Sequence, residues 1–119
     1  PPGLFDSIMF LKKRYGNPDI YITENGTGLY PCDDLDKDLD DHKRIEHMHE
    51  HFRQISRCIE AGANIKGYYH WTFIDTYEGN SMAYLVKFGI VRVDPEDLTR
   101  HPRRSFYYYK DVISRNMVD

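Results

Sequence analysis

The sequence predicts an α/β fold in which parallel strands belong to a larger sheet or barrel than this chain can close alone. Three observations carry that expectation. Two apolar segments, IYIT at 20–23 and IKGYYHWTFI at 65–74, have the β-branched and aromatic composition of strands. Between them, apolar residues recur at helical spacing, giving the crossover that two parallel strands require. Strands this apolar also need neighbours on both edges, and closing a βα barrel takes eight strands and about 250 residues; the chain has 119.

Each element follows from local chemistry. Leu4, Ile8, Leu11 and Tyr15 repeat at helical spacing over 3–15, with Gly16 as a stop and Asn17-Pro18 as a turn. A short strand over 19–24 comes next, ending at Glu24, and then a polar loop over 25–40 that closes in the acidic run DDLDKDLDD. Ile45, Met48, Phe52, Ile55 and Ile59 mark one face of a long helix, with Asp40 or Asp41 as its cap and Gly62 as its end. The near-continuous apolar run from 65 to about 74 reads as a strand buried on both faces. A loop spans 75–85, KFGIVRVD at 87–94 adds a short strand, and Pro102 opens a last helix bearing Phe106, Tyr109 and Ile113 on one side.

Composition excludes several classes. With 40% hydrophobic and 29% charged residues the chain is a folding sequence, not a disordered one. A net charge of -3 leaves no basic footprint for nucleic acid, and no apolar run approaches the ~18 residues of a membrane span. Cys32 lies in a polar stretch and Cys58 in a helical one, so both read as free thiols.

In a βα barrel the functional side chains project from the C-terminal ends of strands. Glu24 stands at one such end, and Trp71 to Glu78 stand at or just past the other. A carboxylate for an anomeric carbon, an indole face for C–H groups and a second carboxylate for hydroxyl protons make a set suited to a sugar. Taken singly, a glutamate ending a strand is a solvated side chain and a tryptophan is core.

Four segments change that balance. IYITENG resembles the (I/V)TENG nucleophile segment of family-1 glycoside hydrolases, the retaining β-glucosidases and β-galactosidases. HWTFIDTYEG resembles that family's WSLLDNFEW, VKFGIVRVD its RFGLVYVD, and SFYYYKDVI the S-x-x-W/Y-Y pattern of its final helix. The resemblance covers almost the whole chain, in the family's order. It implies the C-terminal portion of a (β/α)8 TIM barrel, about the last two βα units, with residues 1–119 forming a partial catalytic domain whose N-terminal part is absent. It further implies Glu24 as the nucleophile that forms a covalent glycosyl-enzyme, Trp71 as the platform under the glycone, Glu78 as acceptor of two glycone hydroxyls, and Phe88 as a wall of that subsite or as core. No cofactor or metal is implied. The expected partners are a β-glycoside or oligosaccharide substrate, the absent N-terminal part of the barrel, and a second copy of the chain. The competing expectation is a non-catalytic carbohydrate-binding or self-associating half-barrel.

The departures are specific. Where the family has Trp after the sugar-binding Glu, this chain has Gly79, which leaves Asn80 as the substitute donor. Thr76 and Tyr77 replace Asn and Phe, and the loop before Phe88 is one residue longer. Glu78 stands where the subgroup acting on 6-phosphorylated sugars has Ser, and its charge would repel a phosphate. The family's T-x-N-E-P segment, carrying the acid/base carboxyl, is not among these residues. Two further signals are set aside. Of His47, His49 and His51 only the first and last share a helix face, and no HExxH pattern accompanies them. Asp34, Asp36 and Asp38 begin a calcium-loop spacing, but Leu39 replaces its glycine and Ile45 its last glutamate, so the run reads as a charged loop capping the next helix.

Overall fold

The computed structural model describes residues 1–79 and 85–118. In chain order they form α1 (Pro2–Tyr15), β1 (Ile20–Asn25), α2 (Leu35–Leu39), α3 (His42–Glu60), β2 (Ile65–His70), β3 (Val91–Val93), β4 (Arg100–Pro102) and α4 (Arg104–Arg115). Strands β1 and β2 pair in parallel across the α3 crossover, and β3 and β4 form a small antiparallel pair. The helices cover one side of the β1–β2 sheet. Ile8 of α1, Cys58 of α3, Ala63 and Ile20 make one core there. Met48 and Phe52 of α3 with Ile90 and Val91 make a second, over which Tyr68 and Tyr109 pack. Cys32 and Cys58 are both free thiols.

The opposite side of the sheet is open. Tyr69 is 57% exposed, against the expectation of a strand buried on both faces. The reason is that the described helices all pack on the other face, through Ile8, Cys58, Phe52 and Tyr109, and among the described residues neither β1 nor β2 has a second strand neighbour that would carry the sheet further. The overall dimensions agree: the radius of gyration is 15.9 Å, where a closed domain of this length gives about 13.5 Å. Apolar residues at helix ends share this fate, since Tyr15, Ile59 and Ile113 are all exposed and Cys58 takes the buried place that periodicity gives to Ile59.

Three boundaries differ from the sequence expectation, and the expected cap residue of α3 bonds elsewhere. The polar stretch 25–40 contains the short helix α2, capped by Asp34, whose side chain accepts the Lys37 N–H at 3.2 Å. Strand β2 stops at His70, because the chain beyond leaves β1 and pairs with the segment around Val91: Asp75 N donates to Val91 O and Val91 N to Phe73 O. Pro102 is the last residue of β4, not the first of a helix; its missing N–H is harmless on an edge strand. Asp41 occupies the N-cap of α3, as expected, but its side chain makes no cap bond there. Its carboxylate instead accepts the Ser105 N–H at 2.9 Å, supplying an acceptor to the first turn of α4, and pairs with Arg44 at 2.8 Å.

Asp41 belongs to a set of buried charges that ties α2, α3, the loops around Thr27, Asp75 and Phe88, β3 and the start of α4 together. Arg44 and Arg103 are 0% and 2% exposed. Arg44 bonds Asp41 and donates to the carbonyls of Thr27 at 2.5 Å, Phe88 at 2.8 Å and Lys87 at 3.0 Å. Arg103 makes two 3.0 Å bonds to Asp75, a 3.0 Å bond to Asp38 and a 2.8 Å bond to Gly89 O. Arg92 adds a 3.1 Å contact to Asp38. Burial pushes the Asp38 carboxyl upward, but the Cys32 N–H and the two arginines outweigh it, so its pKa lies below the ordinary value. Burial likewise works against the charge on Arg103, and Asp75 and Asp38 more than restore it.

Removing one partner from such a network leaves the others charged, buried and unpaired. Arg103→Met is therefore expected to cost about 3–5 kcal/mol in chemical denaturation, and adding Asp38→Asn and Asp75→Asn to recover part of that loss. An Arg103→Met midpoint equal to wild type would show that the network carries no stability.

Candidate active site

The aim of Glu24 is set by an irregularity in strand pairing. Ile20 and Ile22 pack on the helix side of β1, with Tyr21 exposed between them. Strict alternation would return Glu24 to that helix side. The ladder prevents it. Ile22 pairs with Tyr68 and Asn25 with His70, so three steps along β1 match two along β2. The extra residue is a β-bulge spanning Thr23 and Glu24, and both are solvent-exposed. Glu24 is the last residue but one of the strand; Asn25 closes it.

The turn after Glu24 is fixed against the segment after β2. Trp71 N donates to Asn25 O at 3.0 Å. A Cβ on Gly26 would lie 1.8 Å from the Trp71 carbonyl oxygen, so only glycine lets the two backbones approach this closely. The Trp71–Thr72 peptide is cis. A Cβ on Gly28 would fall 2.9 Å from the Phe88 ring. Leu29 and Lys87 exchange backbone hydrogen bonds, and Thr72 N donates to Phe88 O at 3.2 Å. These backbone contacts set the turn after Glu24 beside Trp71 and Phe88, at one rim of the sheet. Trp71 is 38% exposed there, and Phe88 is half-buried.

Glu78 is not joined to that group by these contacts. It is half-buried, and its hydrogen bond is local, from Thr76 Oγ1 at 3.1 Å. Asn80 lies outside the described residues. Asp75 holds the loop after β2: it accepts the Gly89 N–H at 3.0 Å in addition to its bonds from Arg103. Among the described residues Glu24 has no hydrogen-bond or ion-pair partner, and no group of three or more His, Cys, Asp or Glu is placed to hold a metal.

Sequence reasoning missed the residues behind the rim. Arg44 had a legible signal, because it shares the i, i+4, i+8 stripe with Met48 and Phe52, and a cation on a buried stripe must find partners. Tyr68 had none. Its hydroxyl bonds Asn25, at 2.9 Å to Oδ1 and 3.2 Å to the carbonyl. Burial raises its pKa far above the tyrosine norm, so it remains a donor.

His70 lies against the turn at Gly26, and His47 and His51 sit on α3. His51 and His47 stack with ring centroids 4.0 Å apart. His70 packs near the Tyr109 ring and has both ring nitrogens buried without a hydrogen bond among the described residues. Burial lowers both His47 and His70 to about 4; His51 adds to the effect at His47, and Arg44 at His70, where the carbonyls of Phe88 and Asn25 oppose it only weakly. Depressed folded-state values mean that the unfolded chain binds protons first. The stability these groups allow is complete above about 6.5, the unfolded value, and is lost as pH falls toward about 4. His70→Phe is therefore expected to flatten the fall of melting temperature between pH 6.5 and 4; an unchanged slope would exclude His70 from it.

Comparison with known proteins supplies the remaining observation. The glycosyl hydrolase family 1 model matches residues 1–118. A protein named β-glucosidase A from Acetivibrio thermocellus is 38% identical over 116 residues, 98% of this chain and 26% of that protein. The solved structure of a family 1 β-glucosidase from Thermotoga maritima superposes with a TM-score of 0.91 at 32% identity, covering 98% of this chain and 26% of that one. A rice β-glucosidase mutant, solved in a covalent complex with Glc, superposes with a TM-score of 0.85 at 31% identity over 91% of this chain and 23% of its own. The chain thus spans about a quarter of the length of these proteins.

Proposed function

The chain belongs to glycosyl hydrolase family 1, and from that premise we propose that it is the nucleophile-bearing part of a retaining β-glycosidase acting on unphosphorylated β-glycosides. Its homologues include β-glucosidases, and the fold is that of a portion of their TIM barrel. In this reading the Glu24 carboxylate attacks the anomeric carbon and the C1–O bond to the leaving group breaks. A second carboxyl, contributed by residues outside these 119, protonates the departing oxygen. Water, deprotonated by that same carboxylate, then attacks C1 and frees Glu24. The two carboxyls of a retaining enzyme stand about 5–5.5 Å apart. Trp71 offers its indole face to the glycone, Phe88 walls the subsite, and Glu78 with Asn80 accepts and donates hydrogen bonds to its hydroxyls.

The observation that carries the reading is the bulge that exposes Glu24 at the C-terminal end of a parallel strand, one backbone hydrogen bond away from Trp71. Attack needs an ionised carboxylate, and among the described residues no donor reaches this one. In this reading the rest of the barrel supplies donors to it. The 119-residue chain alone then has no useful turnover.

The test is a mechanism-based fluoroglycoside on the full-length protein that carries this segment. The label is expected on Glu24, with Glu24→Gln lowering kcat on the order of 10⁴-fold; a label on any other residue overturns the proposal. A second reading, self-association of the isolated chain, is favoured by the exposed Tyr21, Tyr69 and Phe73 beside strands with open edges. Light scattering on the isolated chain is expected to give a mass above the monomer's 14.2 kDa, and a strictly monomeric folded chain would exclude it.

A further inference from the structure

The bulge at Thr23–Glu24 needs a cause. The ladder shifts twice: between Ile20 and Tyr21 the extra residue is on β2, and between Ile22 and Asn25 it is on β1. A bulge costs a ladder hydrogen bond and leaves one residue unpaired, so from Ile22↔Tyr68 onward the observed pairing Asn25↔His70 competes with an unbulged continuation in which Glu24 would pair with His70 and face the helices. Something must favour Asn25 at that place.

The side chain that distinguishes the two registers is Tyr68. Its ring is fixed on the helix side of β2, edge-on to Phe52 with centroids 4.9 Å apart and 6.3 Å from Tyr109. Tyr109 Oη donates to the Tyr68 carbonyl at 3.4 Å. The Tyr68 hydroxyl therefore ends at one point, and Asn25 meets it there. It has a single proton. Asn25 Oδ1, at 2.9 Å, is the acceptor it reaches best, since the Asn25 carbonyl at 3.2 Å already takes the Trp71 N–H at 3.0 Å. Slipping β1 by one residue would bring Glu24 to that hydroxyl and bury a carboxylate beside Phe52 and Tyr109, against the buried and unpartnered ring of His70.

We propose that Tyr68 is a positioning residue: by donating to Asn25 it selects the bulged register and so holds the Glu24 carboxylate on the open rim. The proposal rests on the reading of Glu24 as nucleophile and adds to it the residue that orients it. Tyr68 touches no substrate. It acts through Asn25, and its loss should displace the nucleophile without removing binding groups.

The experiment uses the full-length protein carrying this segment and an aryl β-glucoside. Tyr68→Phe keeps the ring packed and removes only the hydroxyl. It is expected to lower kcat about 10- to 100-fold, the scale on which a displacement of about 1 Å acts, with KM within twofold of wild type. Asn25→Ala reads the same bond from its other side and leaves the packing of Tyr68 untouched. It is expected to give a similar loss, and the double variant no further loss, because both remove one interaction. A kcat within twofold of wild type in Tyr68→Phe overturns the proposal, and so do losses that multiply in the double variant, or losses accounted for by a lowered melting temperature alone. The fluoroglycoside label separates the two readings. A label on Glu24 with an unaffected Tyr68→Phe removes only the positioning role, whereas a label elsewhere removes the nucleophile assignment and the positioning role with it.

Discussion

The arrangement depends on two buried guanidinium groups. Arg44 and Arg103 reach into the loops that follow the strands and close them onto one another through carbonyl oxygens. Loops are long, polar and rich in unpaired backbone groups, so they do not bury well without donors. An arginine offers five N–H groups in a planar fork and is the side chain best matched to several carbonyls and carboxylates at once. Here each fork ends on segments far apart in sequence: Arg44 joins Thr27 to Phe88, and Arg103 joins Asp75, Gly89 and Asp38. Three arginines face three aspartates, so the buried charge is balanced. Such a network adds little stability over an apolar core of the same volume. What it supplies is a defined relative position for three loops, and those loops carry Trp71, Phe88 and the turn after Glu24.

Within that frame the strand pair sets the finer geometry. A strand presents side chains to alternate sides, and a carboxylate on the wrong side would be buried under helices instead of exposed at a rim. The bulge corrects the phase by one residue. Its neighbours are chosen accordingly: glycine at 26 permits the approach to the Trp71 carbonyl, and asparagine at 25 gives the Tyr68 hydroxyl an acceptor. The segment Glu24-Asn25-Gly26 is thus one device, in which the last two residues exist to place the first.

How far this could be read from sequence depended on whether a feature was local. The strand IYIT, the long helix with its 3.6-residue stripe and the parallel crossover between them follow from periodicity, and all three are present. The bulge does not follow, because register belongs to a pair of strands and not to either one. Asp38 and Asp41 were legible as acids near a helix start, and the expectation of solvated or capping carboxylates was reasonable there. Their partners Arg103 and Ser105 lie 65 and 64 residues further along, beyond any window of local inspection. Pro102 likewise looked like a helix opener because proline suits a first turn, whereas the antiparallel pairing with Val91 claimed it for a strand. The open face of β2 misled in the opposite sense. Its apolar run forecasts a strand with neighbours on both sides, and that forecast describes the fold these residues are suited to enter.

That last mismatch bears on what the chain contributes. A retaining glycosidase site needs geometry and electrostatics together: a carboxylate at the right place, and donors or cations that keep it ionised beside a substrate. In the proposed reading the described residues supply the first. Register, turn and loops are fixed by contacts made entirely within the chain, and the arginines that could have lent positive charge are committed to carbonyls and aspartates behind the rim. Glu24 itself is exposed, as are Tyr21 and Tyr69. If Glu24 is the nucleophile proposed above, it is positioned by one part of a barrel and charged by another, and is active only when the two meet. The barrel's closure then becomes part of the chemistry as well as of the fold.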